Sequence, residues 1–346
     1  MIRRERLEIG IVAALVAVSG LCHFVGVNQV LTFAVTAVTL AGLARLVGTA
    51  TEQLGAQLGS GGASVVQSAL GNLPELFIAL FALHRGLFNV VQAALVGSIL
   101  ANSVLVLGIA FVVGGLRNGV QTFDSNRARL VSTLTLLAAA TLAIPSLAHA
   151  FHSPAAAHTQ ALSLICAGVL LALFLLTLPS FLRSAPGEVH EPARWSRKTT
   201  GIVLLFAGSA AALTSDWFVS ALTPAIHTLH MSEEFAGLVI VAIAGNAVEN
   251  VVGVQLAARN RADFAVSVIV NSSLQVALAL TPVLVFVSLL FATHLTLVFP
   301  TLLALVLLIS SILGALVVND GESNWQEGAV LVGFYIVIAA SFWWGT

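Results

Sequence analysis

Long apolar stretches, separated by short polar breaks, run along almost the whole chain. A helix needs about 20 apolar residues to cross a bilayer core of about 30 Å, and eleven stretches qualify. The predicted spans are 8–25, 28–49, 62–84, 88–115, 127–148, 159–181, 199–222, 233–258, 263–291, 293–318 and 326–344. The pattern therefore predicts an all-α integral membrane protein with about eleven transmembrane helices.

Composition supports the same class. Of the 346 residues, 58% are hydrophobic and 8% are charged, whereas soluble domains carry about 25% charged residues. This composition indicates that the protein lies in the lipid bilayer. The net charge of −1 argues against a nucleic-acid partner. Cys22 and Cys166 lie inside apolar stretches without metal-type spacing, which predicts small buried side chains.

The N-terminus begins with basic residues before an apolar run, as a secretory signal peptide does. No small-residue cleavage site follows, and the next apolar stretch begins at once. We therefore expect residues 1–27 to form a first transmembrane helix that remains in the mature protein.

The positions of Lys and Arg predict the orientation, because these residues accumulate in short loops on the cytoplasmic side. With the N-terminus inside, Arg85 alone falls outside. The inside residues are Arg3, Arg4, Arg6, Arg45, Arg117, Arg127, Arg129, Arg183, Arg194, Arg197, Lys198, Arg259 and Arg261. The sequence thus predicts a bacterial-type plasma (inner) membrane protein with a cytoplasmic N-terminus and an external C-terminus.

The longest polar linker, residues 183–198, divides the remaining spans into two sets of five. The first half covers residues 28–182 and the second covers 199–346. Because five is odd, the two halves enter the membrane from opposite faces. If the halves resemble each other, they form an inverted-topology repeat.

The halves resemble each other at one motif. Residues 71–75 read Gly-Asn-Leu-Pro-Glu in predicted span 3, and residues 245–249 read Gly-Asn-Ala-Val-Glu in predicted span 8. The next span of each half carries a small, polar interruption, with Ser98 and Asn102 in one and Ser272 and Gln275 in the other. Paired interruptions in two halves indicate a transporter binding site.

The residue types in these motifs suit a hard cation. In each motif the Asn and the Glu are three residues apart, so on a helix the amide and the carboxylate share a face. The set offers only oxygen ligands and includes two carboxylates, which suits calcium, and it contains no His or Cys to favour zinc or copper.

With these motifs the chain resembles the calcium/cation antiporter superfamily, nearest its calcium/proton exchanger branch, whose repeats carry Gly-Asn-Ala-Thr-Glu and Gly-Asn-Ala-Ala-Glu-His. The likeness covers predicted spans 2–11, including the segments 50–52, 97–102, 215–216 and 320–328. The resemblance implies that Glu75 and Glu249 are the principal cation and proton ligands. It implies as further ligands Asn72, Asn246, Ser98, Asn102, Ser272 and Gln275.

Three positions depart from the branch. Pro74 stands where the branch usually has Thr. A proline at this position resembles the motif of the sodium/calcium exchanger branch. Asn250 replaces the usual His beside Glu249, and Asn271 replaces the Gly expected before Ser272. The coupling ion therefore stays open between protons and sodium.

Two buried carboxylates at the membrane midplane are expected to be either protonated or bound to a cation, because an uncompensated charge is costly there. The expected function is a secondary antiporter that exchanges calcium, or a similar divalent cation, for protons. Alternatives are a sodium-coupled or monovalent cation/proton exchanger and, in another class, a cation channel. No enzymatic motif, phosphate-binding loop or cofactor site is present in the sequence, so we expect neither catalysis nor a cofactor. Glu52 and Asp216 are either relay groups or interfacial charges.

Overall fold

A computed structural model of the chain describes residues 3–58, 70–182 and 193–344. The helices of the first half are α1 (Arg3–Val25), α2 (Gln29–Leu58), α3 (Leu73–His84), α4 (Phe88–Leu100), α5 (Leu107–Asn118), α6 (Ser125–Ala150) and α7 (Thr159–Leu182). Those of the second half are α8 (Arg197–Leu229), α9 (Glu233–Phe235), α10 (Ala242–Gly245), α11 (Ala247–Ala258), α12 (Ala262–Gln275), α13 (Thr281–Ser288), α14 (Thr301–Val317) and α15 (Trp325–Ser341).

Three π-helical segments interrupt these helices inside the membrane spans. They are π1 (Ala101–Val106), between α4 and α5, π2 (Ala236–Val241), between α9 and α10, and π3 (Val276–Leu280), between α12 and α13. Such segments add one residue to a helical turn and are frequent at functional sites. The π1 segment contains Asn102 of the polar interruption in predicted span 4, and π3 directly follows Gln275 of the interruption in predicted span 9.

Within the described ranges, seven helical segments are long and apolar enough to cross a membrane. A further pair, Glu233–Gly245 and Glu249–Ala258, passes the same test together and is bent by 64°. Shorter apolar helices are Leu73–His84, Thr301–Val317 and Trp325–Ser341. The protein is therefore a helical integral membrane protein.

The chain divides into two compact units, each with segments from before and after the polar linker. Unit 1 contains Met1–Ala82, Leu175–His230 and Ala244–Val248. In it, the first helices of the two halves, α2 and α8, pack together, with the rings of Phe33 and Phe218 stacked at 5.0 Å. The hydroxyls of Ser19 and Thr39 join α1 to α2 at 2.7 Å.

Unit 2 contains Leu83–Phe174, Met231–Ile243 and Glu249–Thr346. Here α5 packs against α15 without intervening side chains, because a Cβ at Gly108 would come within 2.8 Å of the Gly328 carbonyl oxygen. Two short strands, β1 (Gln121–Thr122) and β2 (Glu322–Ser323), pair antiparallel with Gln121 opposite Ser323. The Gln121 amide also donates to the carbonyl of Ala257, at 3.1 Å.

Several predicted helix ends are wrong. The second span continues to Leu58 and the seventh to Leu229. The tenth span begins at Thr301 rather than 293, because the apolar run before Pro300 is a buried, non-helical segment. Its backbone is satisfied by serine hydroxyls: the amide of Leu297 donates to Ser163. Apolar content alone does not separate such a segment from a helix.

Two predictions fall partly outside the structure's coverage. The first eight residues of the third predicted span, 62–69, and positions 183–192 of the linker lie outside the described residues. The described end of the linker, Arg194 and Trp195, is anchored on α2, where the Gln53 side-chain oxygen accepts from both backbone amides at 2.7 and 3.1 Å.

Candidate functional site: two half-helices that begin at the repeated motif

In the described residues, the repeated motif lies at a turn directly before a helix start in both halves. Gly71 and Asn72 form a turn and α3 begins at Leu73, whereas α10 ends at Gly245, Asn246 is a turn residue and α11 begins at Ala247. The expectation that each Asn and Glu share one continuous helical face is therefore wrong. The apolar pattern continues through both motifs and so does not indicate the helix starts, although Pro74 is a residue that favours one.

Each break places its glutamate at the third residue of a new helix. Glu75 lies in the first turn of α3 and Glu249 in the first turn of α11. The first N–H groups of a helix have no partner within it, and the helix dipole favours negative charge there by about 0.3–1 kcal/mol. Both glutamates therefore lie where a helix N-terminus stabilises an ionised carboxylate.

Pro74 fits this arrangement. It is the second residue of α3, where a missing backbone N–H breaks no intrahelical hydrogen bond and the fixed φ favours a helix start. The first hydrogen bond of the helix runs from the amide of Leu76 to the carbonyl of Asn72, at 2.9 Å. The proline thus starts a helix rather than kinking one.

In unit 1 the structure brings together one motif residue from each half. Glu75 is 2% exposed and Asn246 is fully buried, and the Asn246 Nδ2 lies 3.5 Å from the Glu75 Oε1. Gly245 permits this approach, because a Cβ there would lie 3.2 Å from the Glu75 Cβ. The amide of the second motif therefore contacts the carboxylate of the first.

In unit 2 the structure brings together the polar residues of predicted spans 4 and 9. Asn102 is fully buried in π1, and its Nδ2 donates to the Ser272 Oγ of α12 at 3.0 Å. Ser98, also fully buried, lies one turn before Asn102 on α4. Gln275 is the last residue of α12, directly before π3, and is partly buried.

Close backbone packing holds α4 beside π2. A Cβ at Gly97 would overlap the backbone of Leu238, and one at Gly237 would overlap the carbonyl oxygen of Val90. The predicted interruption at Gly97-Ser98 is therefore not a break in the helix. Gly97 serves instead as a site of close approach, and the irregularity follows at π1.

Two further hydroxyl groups, which the sequence analysis did not propose as ligands, support this region. Ser273 Oγ donates to the carbonyl of Ile99 at 3.4 Å, which ties α12 to α4. Thr281 Oγ1 donates to the Val276 carbonyl at 2.9 Å, five residues earlier, and so caps π3. The only sequence signal for them was their place beside the polar interruptions.

Among the residues that the structure covers, no group of three or more His, Cys, Asp or Glu side chains is placed to hold a metal ion. Hard cations accept amide and hydroxyl oxygens in addition to carboxylates, and the motifs together with the polar interruptions supply all three.

Comparison with known proteins gives the family of this arrangement. The model of the family described as sodium/calcium exchanger protein matches residues 28–183 and 199–344. A Ca(2+)/H(+) antiporter ChaA of Bacillus subtilis is 36% identical over 325 residues, covering 90% of this chain and 91% of the relative. A Ca(2+)/H(+) antiporter of Synechocystis is 31% identical and covers 92% of each chain.

Solved structures also resemble this chain in fold. Native YfkE is 33% identical, with a TM-score of 0.84 over 97% of this chain and 99% of the other. The H+/Ca2+ exchanger CAX, at 14% identity, shares the fold with a TM-score of 0.80 over 98% of this chain and 92% of that structure. Because the family model covers most of the chain in two matches and the relatives align over nearly their full length, the chain belongs to the sodium/calcium exchanger protein family, within the calcium/cation antiporter superfamily whose motifs it carries.

Proposed function

We propose that this protein is a secondary active antiporter that exchanges calcium, or a similar divalent cation, for protons. The observation that carries the proposal is the repeated glutamate, Glu75 and Glu249, in the first turn of a helix that starts at the repeated motif. Ionisable residues inside a membrane are costly and mark ion pathways. Relatives named Ca(2+)/H(+) antiporters, similar over nearly the whole chain, support calcium and protons as the exchanged ions.

The proposed cation site uses both glutamates together with neutral oxygen donors. The glutamates supply the charge, and the amides and hydroxyls complete the coordination. The neutral donors are Asn72, Asn246, Ser98, Asn102, Ser272 and Gln275. The contact between Asn246 and Glu75 and the hydrogen bond between Asn102 and Ser272 support the set, because each joins residues from the two halves.

Charge balance gives the exchange rule. A divalent cation neutralises two carboxylates, and two protons do the same, so these are the two states in which the buried site carries no net charge. Alternating access then exposes the site first to one side of the membrane and then to the other, in either of these two states. A site with both carboxylates ionised and empty is disfavoured, which couples the two fluxes.

The proposed membrane layout has eleven spans, with one N-terminal helix before two inverted repeats of five. The seven long apolar helices, the bent pair and the three shorter apolar helices support this count. The two matches to one family model, at residues 28–183 and 199–344, support repeats at 28–182 and 199–346. The Lys and Arg distribution supports a cytoplasmic N-terminus and an external C-terminus in a bacterial-type plasma membrane.

The test is calcium uptake into proteoliposomes that contain the purified protein, with an imposed pH gradient. Calcium should accumulate on the acidic side as protons leave, and collapsing the gradient with a protonophore should stop the uptake. A sodium gradient at equal pH on both sides should drive none. Uptake driven by sodium alone would replace the proposal by sodium coupling, and electrical conductance far above transporter turnover would replace it by a channel.

A further inference from the structure

A cavity of about 180 Å³ lies between α1 and α2, in unit 1 and at the N-terminal end of α1. It is lined by Glu5, Glu8, Ile11, Val12, Leu15, Gly42, Arg45, Leu46, Thr49 and Trp195. A single water molecule needs about 10–15 Å³ of such a volume, so the cavity has room for a group much larger than a single ion. None of its residues belongs to the proposed transport site.

The inner wall of the cavity is held by a network of hydrogen bonds. Trp195, which is 4% exposed, donates from its indole Nε1 to the Glu5 Oε2 at 2.8 Å. The guanidinium of Arg194 lies 3.8 Å from the other oxygen of Glu5. The Gln57 amide donates to the carbonyl of Trp195 at 3.0 Å. The Glu5 carboxylate is therefore fixed in place before any ligand binds.

The mouth of the cavity carries both signs of charge. Arg45 Nη2 lies 3.2 Å from Glu8 Oε1, and the two side chains are 50% and 36% exposed. The bond to Glu8 uses one Nη of a guanidinium that has five N–H donors. Glu5 and Glu8 would repel an anionic ligand, and Arg45 would repel a cationic one. A zwitterion therefore matches this mouth best.

The rest of the wall is apolar, and neighbouring side chains of α1 are exposed. Ile11 is 51% exposed and Leu7, one turn earlier on α1, is 64% exposed, as expected for side chains that contact acyl chains. Gly42 leaves room on α2, because a Cβ there would meet the Val12 side chain at 3.3 Å. Charged groups at one end and an apolar wall at the other match the level where headgroups meet acyl chains.

We propose that this cavity binds the headgroup of a zwitterionic aminophospholipid such as phosphatidylethanolamine. The primary ammonium donates hydrogen bonds to the carboxylates of Glu5 and Glu8, the phosphodiester accepts from Arg45, and an acyl chain lies along Ile11 and Leu15. A trimethylated ammonium has no N–H to donate, so phosphatidylcholine loses these bonds. Phosphatidylglycerol has no ammonium and brings its phosphate beside the carboxylates.

The test is native mass spectrometry of the detergent-purified, full-length protein titrated with phosphatidylethanolamine, phosphatidylcholine and phosphatidylglycerol of identical acyl chains. Because hydrogen bonds to charged groups are the stronger ones, phosphatidylethanolamine should bind roughly tenfold more tightly than either of the others. Equal binding of phosphatidylethanolamine and phosphatidylcholine would overturn the proposal.

Variants locate the site. Glu8→Gln and Arg45→Gln should each remove most of the preference for phosphatidylethanolamine over phosphatidylcholine, whereas Arg197→Gln, a matched change at the start of α8 that does not line the cavity, should keep it. Because each preference is measured within one variant, a general loss of stability does not imitate the result. Ile11→Trp, which fills the opening without altering a charge, should weaken the binding of phosphatidylethanolamine. An unchanged preference in the two charge variants would show that the lipid binds elsewhere.

Discussion

Asn102 and Ser272, residues 170 positions apart in the sequence, are joined by a hydrogen bond of 3.0 Å in the buried part of unit 2. One comes from the first half of the chain and the other from the second. Because an amide is planar, donation from Nδ2 to Ser272 directs the Asn102 side-chain oxygen away from the serine. The hydrogen bond therefore fixes the orientation of an oxygen that the proposed cation site uses.

Removing this bond should weaken calcium binding without unfolding the protein. Ser272→Ala loses a hydrogen bond of about 1 kcal/mol, which corresponds to roughly a fivefold rise in the calcium concentration for half-maximal uptake. Ser103→Ala is the matched control, since its hydroxyl donates to the Ile99 carbonyl of its own helix at 2.6 Å.

A double-mutant cycle tests whether Asn102 and Ser272 act together through this hydrogen bond or as two independent ligands. If Asn102 and Ser272 act together, Asn102→Ala combined with Ser272→Ala should cost less than the sum of the single changes. Strictly additive effects on half-maximal calcium would mean that the hydrogen bond does not orient the asparagine.

The glutamates provide the sharpest test of the exchange rule. Glu75→Gln or Glu249→Gln should abolish proton-coupled calcium uptake, because one carboxylate can neither balance a divalent cation nor release two protons. The protein should still fold and insert, since Gln keeps the size of the side chain and removes a costly buried charge.

Calcium uptake by these two variants is compared with wild type at equal amounts of inserted protein. Glu322→Gln, at an exposed residue of β2, is the control and should transport like wild type. Normal uptake by both glutamate variants across a range of pH would exclude a mechanism that uses two carboxylates.

Much of the membrane character of the chain was predictable from sequence because apolar runs and charge are local signals. The motif residues were found because the same residue types, Gly, Asn and Glu, recur at the same spacing in both halves. The helix starts at the motifs were only partly predictable, because Gly71-Asn72 and Gly245-Asn246 sit inside apolar runs that a continuous helix would also fit. Pro74 was the one local residue that favours a helix start in the first motif.

The π segments and the extended segment before Thr301 were missed for a related reason. The segment before Thr301 depends on a partner distant in sequence: Ser146 Oγ donates to the carbonyl of Leu297 and accepts from the amide of Phe299. The π3 segment is capped by a local contact, the bond from Thr281 Oγ1 to the Val276 carbonyl, which the hydrophobic pattern also does not show. In a membrane every backbone group needs such a partner, so irregular backbone is possible only where side chains supply one. A linear pattern of hydrophobic residues contains no information on which serine will do so.

Glycine contacts give a prediction about packing. Gly97→Ala should lower the thermal stability and the transport rate, since the new methyl group would overlap the backbone of Leu238, which cannot move without shifting a whole helix. We expect a loss of about 1–3 kcal/mol in stability.

Gly208→Ala is the matched control, because nothing lies within 4 Å of a Cβ at that helical position. It should be neutral or stabilise α8 by up to about 1 kcal/mol through helix propensity. Thermal unfolding of both variants in the same detergent distinguishes the two effects, and equal stability of Gly97→Ala and Gly208→Ala would contradict the close approach.

The last prediction concerns Asn250, the residue after Glu249, whose side-chain oxygen is buried and makes no hydrogen bond to the part of the chain that the structure describes. Asn250→His introduces a group that normally titrates near pH 6.5. Below that pH the imidazolium adds positive charge beside Glu249, which opposes calcium binding. The pH at which calcium uptake is half-maximal should therefore move upward in the variant, whereas uptake at alkaline pH should match wild type. Asn250→Gln changes the side chain without adding a titratable group and should keep the wild-type pH profile. If Asn250→Gln shifted the profile as much as Asn250→His, size rather than charge would explain the effect, and an unshifted profile in Asn250→His would place residue 250 outside the electrostatic reach of the site.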